Sequence, residues 1–108
     1  MKNKLTKAEI VNNIYSVVSQ EAYPKFTRTD VQDVVELFFE EIKKGLAEDR
    51  IIELRGFGTF ETRVRKGKDY ARNPKTGESV SVEEHCTAVF RPGRELKQKV
   101  WDVKDQNK

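Results

Sequence analysis

Apolar residues recur at helical spacing twice in the first half of the chain, and the period then changes to two. Ile10, Val11, Ile14, Val17 and Val18 share one helical face. Thr6-Lys7-Ala8-Glu9 announces that helix, because the Thr6 hydroxyl can take an amide of the first turn while Glu9 reaches back to the Thr6 N–H. Pro24 closes the region, since proline cannot continue a helix and restricts Tyr23 before it. A second start signal stands at Thr27-Arg28-Thr29-Asp30. Val31, Val34, Val35, Phe38, Phe39, Ile42 and Leu46 then trace a stripe over about five turns. Adjacent Phe38 and Phe39 widen that stripe beyond the reach of one short neighbour. A central helix packed on two sides follows, the second side covered by another subunit.

From Ile51, Ile52 and Leu54 alternate with Glu53 and Arg55, the mark of a half-buried strand. Phe57 and Phe60 lie three apart in Arg55-Gly56-Phe57-Gly58-Thr59-Phe60, so a regular strand would send them to opposite faces. A bulge or bend at Gly56 or Gly58 would return both to the core. Glu61 to Lys66 continues extended, with Arg63 and Arg65 on one face. Gly67 to Ser79 has no apolar face and holds the turn composition Asn73-Pro74-Lys75-Thr76-Gly77-Glu78; Ser79-Val80-Ser81-Val82 alternates again. Two strands with almost nothing apolar between them make an arm, and an isolated ribbon is marginal in water, so mobility is expected when it is unbound. The chain returns through Thr87-Ala88-Val89-Phe90 and starts a last helix after Arg91-Pro92-Gly93, with Leu96, Val100 and Val103 inward and a frayed tail.

Charge sharpens this picture. Net charge is only +3 over 108 residues. Yet Asp30 to Glu53 carries eight acids against three bases, while Arg63 to Lys75 carries six bases against one acid. Such segregation fits one surface built to meet a polyanion. Apolar residues make up 36% of the chain and charged residues another 36%, lean for a self-sufficient core and suited to oligomerisation. The length fits a single domain.

Little of the sequence points to catalysis. One Cys and one His exclude an internal disulfide and a Cys₄ or Cys₂His₂ zinc site. His85 and Cys86 are strand neighbours pointing to opposite faces with no third group to orient a base, so a structural role, buried or half-exposed, is expected for both. The glycines of Arg55 to Phe60 form neither GxGxxG nor a phosphate loop. Asp33, Glu36, Glu40 and Glu41 read as a solvated helix face, and Trp101 as a packing residue. No enzyme activity, cofactor or metal is expected. No apolar run approaches the ~18 residues of a membrane span, and Met1 to Glu9 lacks a signal-peptide core, so a cytosolic protein is expected. Phosphate binding is better supported: bases cluster on the arm, and Lys7, Arg91 and Arg94 stand beside helix starts.

Two helices, RGFGTFE, a basic arm with RNPKTGE, and VFRPGRELK, in that order over roughly residues 5 to 100, resemble the bacterial HU and integration host factor family. The resemblance implies an α+β fold: two N-terminal helices as a base, an antiparallel three-stranded sheet saddle, an extended basic β-ribbon arm and a short C-terminal helix, in an intertwined dimer. One domain, 1–108, would comprise an N-terminal extension (1–5), a DNA-binding arm (63–82) and a C-terminal tail (101–108). Pro74 matches the arm-tip proline that wedges between base steps, with Arg72 and Asn73 beside it in the minor groove. Arg63, Arg65, Lys66 and Lys68 match the basic flank of the arm. Lys7, Arg91, Arg94 and Lys97 match phosphate contacts on the body, and Arg55 a saddle position. Lys75 and Gly93 complete the implied DNA-binding set. Phe57, Phe60 and Phe90, with Phe38 and Phe39, match the aromatic core shared between subunits.

The chain departs from the pattern in an N-terminal excess of about four residues, a longer connection at Ala22 to Lys25, a tail beyond Trp101 and one extra arm residue around Lys68-Asp69-Tyr70. A one-residue shift would turn side chains over. The implied protein bends and compacts bacterial duplex DNA, favouring bent, nicked or flexible sites, as a homodimer or with a paralogous subunit, in the nucleoid. The alternatives are a site-specific bending subunit of the integration host factor type and, behind it, an RNA or single-strand binder; an adaptor using the acidic helix face is a third class.

Overall fold

The computed structural model describes residues 3–20, 26–72, 75–77 and 79–106. Pro24, the connection at 22–25 and the Asn73–Pro74 pair lie outside the described residues. Two compact units divide the chain, Met1–Lys44 with Asp102–Lys108, and Gly45–Trp101.

Two helices open the fold, α1 (Lys7–Val18) and α2 (Arg28–Ala47). Thr6 caps α1 in extended backbone and accepts the Glu9 amide at 3.3 Å. The return half of the expected box differs: Glu9 Oε1 accepts the Thr6 hydroxyl at 3.3 Å. At α2 the exchange is complete, with the Asp30 amide donating to Thr27 Oγ1 at 3.0 Å and the Thr27 amide to Asp30 Oδ2 at 2.9 Å. The acid with the shorter side chain makes the reciprocal amide bond. Arg28 Nε donates to Asn12 Oδ1 at 2.6 Å and ties the two helices.

The apolar stripes are mostly uncovered in a single chain. Among the described residues, Val11 and Val31 are the buried hydrophobic ones, while Ile14, Val17, Val34, Leu37, Phe38 and Phe39 stay exposed. Val34 and Leu37 keep about two thirds of their surface, at 67% and 65%. Burying a side chain of this size contributes roughly 1.5–3 kcal/mol, so the α2 face is a large unused source of stability.

The second unit is built on an antiparallel sheet, β1 (Ile52–Leu54), β2 (Gly58–Arg65) and β5 (His85–Pro92), in the order β1-β2-β5. A separate ribbon pairs β3 (Lys68–Arg72) with β4 (Ser79–Val82). The bend expected near the glycines is the turn between β1 and β2: the Phe57 amide donates to the Leu54 carbonyl at 2.9 Å, and Gly56 takes φ 85°. The turn brings Phe57 back to Phe60 and Phe90, with ring centroids 4.7–6.4 Å apart. Gly58 serves close approach instead, since a Cβ there would lie 2.5 Å from the Arg91 carbonyl oxygen and 2.6 Å from the Phe90 ring. Helix α3 (Arg94–Val100) follows.

Three expectations are corrected. Val100, expected to face inward from α3, is exposed at 51%, and a short helix, α4 (Val103–Gln106), follows it. His85 and Cys86 are both exposed, at the start of β5. Trp101 does not pack but is exposed.

The end of α2 is pinned to the sheet. Asp49 adopts φ 59°, closing the helix as its amide donates to the Leu46 carbonyl at 3.0 Å, and Thr62 Oγ1 donates to Asp49 Oδ1 at 2.6 Å. Left-handed backbone is costly for a residue with a Cβ. Asp49→Gly and Asp49→Ala both lose the Thr62 bond, but only alanine keeps the steric cost. Asp49→Ala is therefore expected to be less stable by about 1 kcal/mol in urea unfolding at matched protein concentration; equal stabilities would show that the conformation costs nothing.

Candidate nucleic-acid interface

The period of two assigns the sheet's faces. Pairing of Phe60 with Phe90 puts the aromatic cluster on one side, and the positions between them carry the charge on the other. Glu61, Arg63 and Arg65 alternate outward along β2; His85, Thr87, Val89 and Arg91 do so along β5, with Arg63 opposite Thr87 and Arg65 opposite His85. Arg65 Nε donates to Thr87 Oγ1 at 3.3 Å, holding the side chain across the strands. Cys86 sits opposite Val64 on the other face, so it does not share a site with His85.

Arg63 and Arg91 converge on one carboxylate. Arg91 forks onto Glu61, Nε to Oε1 at 3.2 Å and Nη2 to Oε2 at 3.3 Å, while Arg63 Nη2 reaches Oε1 at 3.3 Å. The Glu61 side chain is only 17% exposed, although both arginines are more than half exposed. The cluster keeps a net charge of +1 and leaves guanidinium edges toward solvent. Sequence reading missed Glu61, because its role depends on a partner thirty residues away; the alternation Glu-x-Arg-x-Arg was the available signal.

The remaining positions fall in several places. Arg55 is exposed in the turn before Gly56. Gly93 caps α3, and its amide donates to the Phe57 carbonyl at 2.9 Å, which ties that helix start to the sheet turn. Arg94 and Lys97 are exposed along α3, and Lys66 is exposed between β2 and β3. Lys68 and Arg72 stand opposite Val82 and Ser79 on the ribbon. Lys75 is exposed in the turn of the arm; Asn73 and Pro74 lie outside the described residues.

A bulge interrupts the ribbon. Lys68 pairs with Val82 but Ala71 with Val80, three steps on β3 against two on β4. The irregularity lies beyond Arg65, so the outward facing of Arg63 and Arg65 is unaffected.

Lys7 is differently placed. Its ammonium lies 3.4 Å from Glu36 Oε1, which also accepts from Gln32 Nε2 at 3.3 Å. The Gln32 hydrogen bond, then the Lys7 bond and charge, hold the Glu36 carboxyl below its usual value of 4.5. Lys7, Asp33, Glu36, Leu37, Phe39, Glu40 and Lys43 line an open cleft of about 670 Å³. Lys7 thus meets carboxylates of the acidic helix face, in the unit that does not contain the arginine cluster.

Among the described residues no group of three or more His, Cys, Asp or Glu side chains could hold a metal ion, and no helix is long and apolar enough to cross a membrane. The model of the bacterial DNA-binding protein family matches residues 5–101. The chain belongs to that family. It is 39% identical over 100 residues to integration host factor subunit alpha of Vibrio vulnificus, covering 93% of this chain and 98% of that one. It is 38% identical over 98 residues to the same subunit of Colwellia psychrerythraea, covering 91% and 94%. An Anabaena HU–DNA cocrystal structure superposes with a TM-score of 0.73 at 28% identity, over 89% of this chain and 97% of that one. An HU mutant from Thermotoga maritima shares the fold at 23% identity, with a TM-score of 0.61 over 89% and 99% of the two chains.

Glu61 makes the arginine cluster testable. Glu61→Gln removes the charge that competes with a phosphate for Arg63 and Arg91 while keeping the side-chain shape. Affinity for duplex DNA is expected to rise about fivefold, on the order of 1 kcal/mol, with a steeper salt dependence. A loss of affinity in the same titration would mean that the carboxylate positions the guanidiniums instead of occupying them.

Proposed function

We propose that this member of the family is a non-enzymatic architectural protein that bends and compacts bacterial duplex DNA as a dimer. The observation that carries the reading is the open sheet face on which Arg63, Arg65 and Arg91 gather opposite the aromatic cluster. Guanidiniums there match phosphates in charge and in fork geometry. The arm continues from the same strands, so its bases Lys66, Lys68, Arg72 and Lys75 extend that surface along the duplex. Arg55, Gly93, Arg94 and Lys97 flank it, and Lys7 joins the contacts once it exchanges Glu36 for a phosphate. Affinity then rests on phosphate neutralisation, and preference for bent, nicked or flexible sites on the cost of deforming DNA. Asn73 and Pro74 at the arm tip would act in the minor groove, the proline ring entering a base step. The working place of such a protein is the cytoplasm, on the nucleoid.

The uncovered faces of both units support the dimer, whether of identical chains or with a paralogous subunit. Val34, Leu37, Phe38 and Phe39 on α2, and Phe57 and Phe90 on the sheet, are the surface that a second copy would bury. Folding and association are then one process. The melting temperature is expected to fall on dilution, because stability is tied to subunit concentration. A concentration-independent transition together with a monomeric mass in sedimentation would defeat the dimer.

The identity with integration host factor subunit alpha favours a second reading, a site-specific bending subunit. One experiment bears on both. Bending is measured by fluorescence transfer between duplex ends at saturating protein, on random and on pre-kinked duplexes. Pro74→Ala is expected to reduce the bend and the preference for flexible sites while keeping salt-sensitive binding, since proline carries neither charge nor donor. Arg63→Ala with Arg65→Ala is expected to weaken all duplexes alike. If six to ten phosphates are neutralised, wild-type affinity drops roughly 10³–10⁵-fold between about 50 and 200 mM salt. Full bending by Pro74→Ala would remove the wedge, and a strong bias among unkinked random duplexes would favour the site-specific subunit. Single-stranded DNA and RNA compete poorly in this reading, as stacking platforms need aromatics in series and the arm offers Tyr70 alone.

A further inference from the structure

Helix α3 separates two kinds of surface. At about 100° per residue, Leu96 and Val100 lie on one side, and Leu96 is half-buried there. Arg94, Lys97, Gln98 and Trp101 fall within a stripe about 100° wide on the other side. Trp101 stays in phase with the helix, since its backbone is still helical at φ −55°, ψ −41° and its amide donates to the Gln98 carbonyl. The residue is 77% exposed, the highest value among the exposed large apolar residues of the described chain. Arg94, Lys97 and Gln98 are exposed with it. The acid of the first turn, Glu95, projects away from this stripe, its carboxylate lying beside Gly56 in the β1–β2 turn.

A large indole in open solvent, one turn beyond Lys97 and two beyond Arg94, with the exposed Asp102 following it off the stripe, is suited to a ligand that is anionic and apolar by turns. The backbone of duplex DNA has that chemistry, with deoxyribose edges between phosphates. Trp carries an apolar ring and a donor-only N–H, so it repels neither part. From Arg94 to Trp101 the helix rises about 10 Å, close to three phosphate-to-phosphate steps along one strand. The stripe also follows directly on a surface already assigned: Arg91 of the arginine face stands on β5 two residues before Gly93, which opens α3.

We propose that Trp101 is a further DNA-contact residue, its indole resting on the sugar–phosphate backbone while Lys97 and Arg94, one and two turns toward the start of α3, neutralise the neighbouring phosphates. This inference rests on the DNA-binding reading above. It adds a contact on the body of the protein, separate from the arm, that lengthens the footprint on the duplex.

Trp101 is the only tryptophan of the chain, so its own fluorescence reports the contact. The full-length protein is titrated with a duplex long enough to pass beyond the arms, and binding is followed independently by anisotropy of a dye on the DNA. In the free protein the indole is expected to be open to acrylamide. Duplex binding is expected to quench it and to shield it from acrylamide, saturating at the stoichiometry that the anisotropy gives. Trp101→Ala is expected to weaken long-duplex binding by roughly tenfold. A duplex short enough to be held by the arms alone is expected to lose little. Circular-dichroism melting at the same concentration checks that the variant is folded, and the wild-type quenching experiment does not depend on any variant. An indole already shielded in the free protein, and unchanged while the anisotropy reports binding, would place Trp101 against the protein or a second copy and overturn the inference. No anisotropy change at all would overturn the DNA-binding reading itself, and this inference with it.

Discussion

The stacking of Phe60 against Phe90 across two antiparallel strands is the contact on which the rest of the second unit depends. Their register commits one face of the sheet to the aromatic cluster, and by alternation commits Arg63, Arg65 and Arg91 to the other. A slip of one residue between β2 and β5 would exchange the faces, burying guanidiniums and exposing phenylalanines. Gly58 makes the register possible, because any side chain there would strike the Phe90 ring and the Arg91 carbonyl. Gly56 and the Phe57 carbonyl then carry the arrangement into the start of α3. The chemistry of the charged face is thus set by apolar contacts on its reverse.

Those same contacts leave the single chain short of a core. Val11 and Val31 are its buried hydrophobic residues among those described, whereas α2 and the phenylalanines remain open on their outer sides. A domain of this size and charge has little apolar surface to spare, so leaving these groups in water would leave folding barely favourable. The proposed second copy removes the deficit with no added residues. It also supplies a second basic face and a second arm, so the stability requirement and the grip on a long polyanion have one solution.

Acidic residues shape the cationic surface as much as the bases do. Glu61 joins Arg63 and Arg91 on the sheet, and Glu36 joins Lys7 on the helices. An exposed pair such as Lys7–Glu36 contributes little to stability. The consequence of both pairings lies in binding, where a phosphate must displace a carboxylate or share its partner. In the proposed DNA-binding role, such a surface would favour the dense phosphate array of a duplex over a weak anion.

Much of this was legible in the residues themselves. Thr6 and Thr27 mark where the helices begin, since capping is a local exchange between neighbours three apart. Alternation from Ile52 onward marks the strands, the charge reversal between Asp30–Glu53 and Arg63–Lys75 marks the basic part of the chain, and the RGFGTFE, RNPKTGE and VFRPGRELK segments carry the family. Only the tertiary structure decided how these pieces meet. It turned the glycine pair into a β1–β2 turn plus a close approach, placed the irregularity of the ribbon beyond Arg65, brought Arg91 onto Glu61 across thirty residues, and left Trp101 in solvent where an amphipathic pattern implied packing. Helix starts, strand periods and net charge depend on neighbours along the chain. Registers, shared carboxylates and the exposure of one indole depend on which distant segments pack together, and one-dimensional periodicity carries no record of that.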